Sequence, residues 1–249
     1  MEKIIQKIKS NTLLTIATTI LLGLLIIFLT SITANFFKTQ IGNYVELNFY
    51  TKNVIGKFFM LFFSIVLILI VNKGKFENYG FSLPTNVKYT KFIFVTIGIC
   101  IASFILGNII FTGILSHLFP TENTTSFPKQ SILQMILTVW IWSTVCEEVF
   151  VRGLLQGFMQ HLKSIKFLKL SLPVIISGLF FGAMHLSLLK VGMGHWFVAF
   201  IVFNTTVIGL LAAFYREKTN SLITPIIVHF LANVVGTTPF IIMTVLGKV

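Results

Sequence analysis

Aspartate is absent from this 249-residue chain, and glutamate occurs only seven times, at Glu2, Glu46, Glu77, Glu122, Glu147, Glu148 and Glu217. Charged residues together make up 10%, against roughly a quarter in an ordinary soluble domain. That scarcity excludes a water-soluble globular protein. Cysteine is limited to Cys100 and Cys146, both inside apolar runs, so no disulfide framework is expected and the redox compartment cannot be read. Internal repeats and low-complexity tracts are missing too. The longest polar loop, 72–91, has about 20 residues, too few for a separate soluble domain. One transmembrane domain over residues 1–249 is expected.

What the chain has instead is apolar length. Apolar residues make up 55%, phenylalanine alone occurs 27 times, and the mean hydropathy is +0.93. A helix needs roughly 20 apolar residues to cross a bilayer, and runs of that kind occupy 12–36, 54–71, 92–119, 131–160, 171–189, 196–215 and 222–235. A shorter stretch, 239–246, completes an eighth span in the preferred count; seven is the alternative. Lipid offers no partner to an open sheet edge, and barrel strands would alternate in polarity, so the spans are helices. The fold class is therefore all-α, a polytopic membrane bundle. The first run follows Lys3, Lys7 and Lys9 but is too long for a signal peptide and lacks a cleavage site, which predicts an uncleaved anchor.

Lysine and arginine bias sets the expected orientation. With the N-terminus inside, Lys3, Lys7, Lys9, Lys73, Lys75, Lys88, Lys91, Lys163, Lys166, Lys169, Arg216 and Lys218 lie on the inner side. Lys38, Lys52, Lys57, Lys129 and Lys190 lie on the outer side. A cytoplasmic N-terminus follows. The +12 net charge reads as topology plus attraction to anionic lipid, and no nucleic-acid partner is expected. Lysine far outnumbers arginine, which suggests an AT-rich bacterial genome and a plasma-membrane location.

Against this background CEEVFVR, residues 146–152, is anomalous. Between Lys129 and Lys163 the only charged residues are Glu147, Glu148 and Arg152. A carboxylate near the bilayer centre costs roughly 2.5–3.5 kcal/mol on insertion scales. Glu148 and Arg152 are four apart and can pair on one helix face. Glu147 lies about 100° round the helix and needs partners on other helices. Three polar residues in other apolar runs are available: His185, then His229 and Asn233, which share a face. Counted from the ends of inner loops at ~1.5 Å per residue, Glu147 and His185 lie about 21 Å deep, His229 about 12 Å and Asn233 about 18 Å. Those overlapping depths favour one shared site over a merely structural ion pair.

A carboxylate and an imidazole in an apolar cavity can activate water as a general base and then return the proton as an acid. A second imidazole and an amide can donate to an oxyanion. The set suits amide hydrolysis with water as nucleophile, since Ser143 and Ser187 read as helix-packing hydroxyls. A divalent metal such as zinc is the other option, with Glu147, Glu148, His185 and His229 as candidate ligands. The spacing is not the H-E-x-x-H of zincins.

Glu147-Glu148-x-x-x-Arg152, Phe181-x-x-x-His185 and His229-x-x-x-Asn233 together resemble the three motifs of the CPBP family, which comprises CAAX prenyl proteases and bacteriocin-processing or immunity proteins (the Abi family). The resemblance covers about 131–235. It implies that Glu147 and His185 activate water, that His229 and Asn233 stabilise the oxyanion, and that Glu148 and Arg152 support the site. Phe181 is expected to be plain core. The implied activity is intramembrane endopeptidase on a peptide or membrane-associated substrate, in peptide maturation or self-immunity. The competing readings are a non-catalytic scaffold for a partner such as a sensor kinase, and a proton-coupled transporter. The missing repeats speak against the transporter.

Overall fold

A computed structural model describes residues 2–120 and 131–246. A short amphipathic helix, α1 (Glu2–Lys9), precedes seven long helices. These are α2 (Thr12–Gly42), α3 (Phe49–Val71), α4 (Tyr89–Leu118), α5 (Ile132–Gln156), α6 (Leu172–Val191), α7 (His195–Thr219) and α8 (Ile223–Val245). Among the described residues, β structure is confined to a two-residue antiparallel hairpin, Lys166–Phe167 with Leu170–Ser171, and an isolated bridge between Phe81 and Ser221. The all-α polytopic bundle is as expected, and seven long apolar helices fit an integral, multi-pass membrane protein.

Seven, the lower of the two counts, is what the helices give. Residues 239–246 do not form an eighth span, because α8 runs through Pro239 without a break. Proline removes the backbone donor that would pair with the Val235 carbonyl, a loss of one hydrogen bond that membrane helices tolerate. One turn earlier Thr237 and Thr238 donate to the carbonyls of Asn233 and Val234, each at 2.7 Å. Several helix starts are written in the sequence: Asn11, Asn48, Ser131 and Ser171 each accept from a backbone N–H three residues on.

Inside the bundle an apolar core is interspersed with buried polar residues, and large apolar side chains cover the outside. The buried face of α2 is Thr15, Thr19, Gly23, Ile26, Thr30 and Ala34, mostly small residues, while Leu13, Leu21 and Phe28 on its other faces are exposed. Helices α6 and α7 approach closely at Gly178 and Gly182. A Cβ on Gly178 would lie 3.0 Å from the Leu210 nitrogen, and one on Gly182 would lie 3.1 Å from the Val202 carbonyl oxygen. Such close helix contact is how membrane helices gain packing energy without a hydrophobic drive. Helix α5 is zipped to α7 by two side chains a turn apart: Arg152 Nη2 donates to Gly209 O at 3.0 Å and Gln156 Nε2 to Ala213 O at 2.9 Å.

One end of the bundle is closed by the loop between α3 and α4. Leu222 N donates to Gly80 O at 2.7 Å, and Ser82 Oγ donates to Asn220 O at 2.6 Å. Buried Arg216 donates to Asn78 O at 2.6 Å and to Gln160 Oε1 at 3.0 Å. Tyr79 packs against Gly157, and burial pushes its phenol up to about 12 although Arg216 pulls the other way. Cys100 and Cys146 are buried free thiols.

Candidate active site

Helix α5 is not a uniform α-helix. Its α-helical stretch Thr144–Glu148 lies between π-helical stretches Ile136–Ser143 and Val149–Gln156. The wider turns of a π-helix shift which side chains share a face, and such stretches recur at functional sites. Both glutamates sit in the α-helical segment, buried: Glu147 is 6% exposed and Glu148 0%.

Glu148 is held from two sides. Arg152, fully buried one turn on, places Nε 3.2 Å from Glu148 Oε2, as the i,i+4 spacing predicts. His229 on α8 donates from Nδ1 to Glu148 Oε1 at 2.9 Å. A carboxylate oxygen can only accept here, so Nδ1 carries the proton and Nε2 faces the other way. Its nearest carboxylate is Glu147, whose Oε2 lies 3.9 Å away.

Glu147 has a second partner that the sequence reading did not anticipate. Lys57 on α3 donates from Nζ to Glu147 Oε1 at 2.5 Å, with 16% of its side chain exposed. Lys57 is therefore a bundle residue and leaves the tally of outer-loop lysines, while Lys129 in that tally lies outside the described residues. Two carboxylates now face two permanent cations, which removes the unbalanced charge. The signal was present: a lysine flanked by Val54-Ile55 and Phe58-Phe59, and one carboxylate too many in α5. The start of α3 is also fastened to α5, with Asn53 Nδ2 donating to Ser143 Oγ at 3.3 Å and Trp142 Nε1 to Val54 O at 3.2 Å.

His185 stands where α6 tightens from α-helix into the 3-10 turns of His185–Val191. Its Nδ1 donates to Phe181 O at 2.8 Å, which leaves the Nε2 lone pair open. Phe181 is more than core. Its ring lies 4.3 Å beneath the Arg152 guanidinium carbon and meets the rings of both His185 and His229 edge-to-face, each at 5.1 Å. Asn233 lies one turn beyond His229, but its amide turns to α5, donating to Thr144 Oγ1 at 2.9 Å and Val139 O at 3.3 Å.

The four candidate zinc ligands do not converge as a ligand set. Among the described residues, no group of three or more His, Cys, Asp or Glu side chains is arranged to hold a metal ion. Donor chemistry explains why: Glu147 faces an ammonium, and Glu148 is committed to Arg152 and to His229 Nδ1. A dication at Glu147 would meet the positive charge of Lys57. These residues, as arranged, do not fit the metal.

Residues 129–235 match the family model described as type II CAAX prenyl endopeptidase Rce1-like, in agreement with the CPBP-type motifs. The match spans α5, α6, α7 and the part of α8 that carries His229 and Asn233; Lys57 lies outside it. No curated protein matches the chain, and no solved structure does.

Proposed function

We propose that this chain, whose residues 129–235 carry the signature of the Rce1-like CAAX endopeptidase family, is an intramembrane endopeptidase that hydrolyses peptide bonds with an activated water. One observation supports this above the others. Glu147 Oε2 and His229 Nε2 face each other across 3.9 Å, a gap suited to a water bridging two polar atoms.

The chemistry follows from the donors and acceptors. A water between these groups gives its proton to Glu147 Oε2, and the His185 Nε2 lone pair offers a second acceptor. The hydroxide attacks the peptide carbonyl, forming the new C–O bond. The oxyanion takes hydrogen bonds from His229 Nε2, when that ring carries both protons, and from Asn233 Nδ2. Asn233 spends its two N–H groups on Thr144 and Val139, and the longer 3.3 Å bond to Val139 is the one to be exchanged. Collapse breaks the C–N bond, and the proton held by Glu147 passes to the leaving amine. Glu148 and Arg152 orient His229. No metal takes part in this scheme, so chelators should leave the rate unchanged.

Further parts of the reading rest on the charge bias. The N-terminus is cytoplasmic, and the inner loops face the cytoplasm of a bacterial cell. There the natural substrate is a membrane-associated peptide, processed in bacteriocin or signalling-peptide maturation or in self-immunity. The experiment is a comparison of the peptides in cells carrying the wild-type chain and Glu147→Gln. Fragments present only with the wild type are expected; identical peptide sets at equal expression would overturn the reading.

A further inference from the structure

Lysine is a poor choice for an apolar helix unless its ammonium is received by an acceptor, because a buried charge must be paired. Lys57 lies eight residues into α3, beyond exposed Lys52, and its ammonium ends on Glu147. The contact is made to the carboxylate assigned to water activation and not to its neighbour, Glu148. It also divides the two oxygens of Glu147. Oε1 is taken by Lys57 at 2.5 Å, while Oε2 is turned toward His229 across the 3.9 Å gap.

We infer that Lys57 is a positioning residue of the peptidase site: its ammonium holds Glu147 in the carboxylate form and in the rotamer that presents Oε2 to water. The inference rests on the reading of Glu147 as the base. Lys57 keeps its own three protons throughout and transfers none; the water proton goes to Oε2 and leaves on the amine. Held by one oxygen, the carboxylate cannot swing toward Arg152, whose guanidinium already serves Glu148. The residue comes from α3, so the reacting carboxylate depends on a helix outside the family-matched segment. An ion pair that merely fastened α3 to α5 would not need the reacting carboxylate, and those helices are already joined through Asn53 and Trp142.

The test uses the full-length protein in liposomes, with a quenched-fluorescent farnesylated peptide ending in Cys-aliphatic-aliphatic-Met as probe. Lys57→Met is expected to lower kcat at least tenfold with KM within twofold, and Lys57→Arg to stay within threefold of wild type. Lys57→Gln runs alongside, so that the comparison survives if Lys57→Met fails to fold. Infrared difference spectra supply a readout that needs no turnover: a carboxylic-acid C=O band, absent from wild type, is expected in Lys57→Met and Lys57→Gln and lost on adding Glu147→Gln. Retention of kcat within twofold in both uncharged variants overturns the inference, as does a change in KM alone or an arginine variant as slow as the uncharged ones. If Glu147→Gln is itself fully active, the proposed function fails and this inference with it. If the wild type does not cleave the probe, the infrared band decides, and its absence overturns the assignment.

Discussion

The guanidinium carbon of Arg152 stands 4.3 Å over the face of the Phe181 ring. That contact links the motif on α5 to the motif on α6, and the edges of the same ring meet His185 and His229. A cation over an aromatic face contributes roughly 0.5–2 kcal/mol, more when desolvated. Phe181→Leu keeps apolar bulk but removes the π face and both edge contacts. It should lower the melting temperature and reduce kcat about tenfold, with KM little changed; an unaltered rate would return Phe181 to the role of plain core.

Arg152→Met should be the most damaging single substitution for stability in this site. It leaves Glu148 as a fully buried carboxylate with only His229 for a partner. Breaking a buried pair from one side costs about 3–5 kcal/mol, whereas removing both charges is far milder. Thermal denaturation in detergent should therefore show a large fall for Arg152→Met and a substantial recovery for Arg152→Met/Glu148→Gln.

Glu147→Gln keeps the shape but removes the proton acceptor, so the rate should fall by about 10²–10⁴-fold, the range for losing a general base. It also leaves the Lys57 ammonium without its carboxylate, so the melting temperature should fall as well, and recover in Lys57→Met/Glu147→Gln. His185→Ala should also slow the reaction at near-normal stability, because its ring is only partly buried and its one hydrogen bond closes a local turn.

Tyr79 sets a pH test outside the spans. Its phenol is pushed up to about 12 from an ordinary 10.0, and its hydroxyl has no hydrogen-bond partner among the described residues. The folded protein keeps this proton where the unfolded chain loses it. The contribution is therefore fully present below pH 10 and is lost as pH rises toward 12, roughly 3 kcal/mol across that window. Tyr79→Phe should match or exceed wild-type stability at pH 7 and show a shallower alkaline decline in melting temperature.

The α6–α7 contact gives a steric prediction. A Cβ at position 178 would meet the Leu210 side chain at 2.7 Å and its backbone nitrogen at 3.0 Å, so the helices must separate. Overpacking of this kind costs roughly 1–3 kcal/mol. Gly178→Ala should lower the melting temperature, while Gly236→Ala, where nothing lies within 4 Å, should not.

The parts of this molecule that are local in sequence were legible there. Apolar length gave the helices, and the i,i+4 spacing gave the Glu148–Arg152 pair. The three motifs marked the helices whose polar side chains meet in the candidate site. Contacts between helices were legible only as requirements. Glu147 needed a partner elsewhere, but Lys57 looked like a loop lysine because it stands near the start of its apolar run. His229 was matched to Glu147 by depth, yet its shorter bond is to Glu148, a choice between adjacent carboxylates that depth alone does not make. Pro239 looked like a boundary because proline commonly ends helices in water, whereas α8 runs through it.

The pairing of Lys57 with Glu147 also bears on the order in which the chain enters the bilayer. Among the seven long helices, α5 is the least apolar and brings both carboxylates with a single arginine. Synthesis delivers α3 first, so an ammonium already stands in the membrane when α5 emerges from the ribosome. A nascent chain lacking Lys57 would present α5 with one uncompensated carboxylate. The handicap would then fall on insertion itself, before any site exists to be impaired.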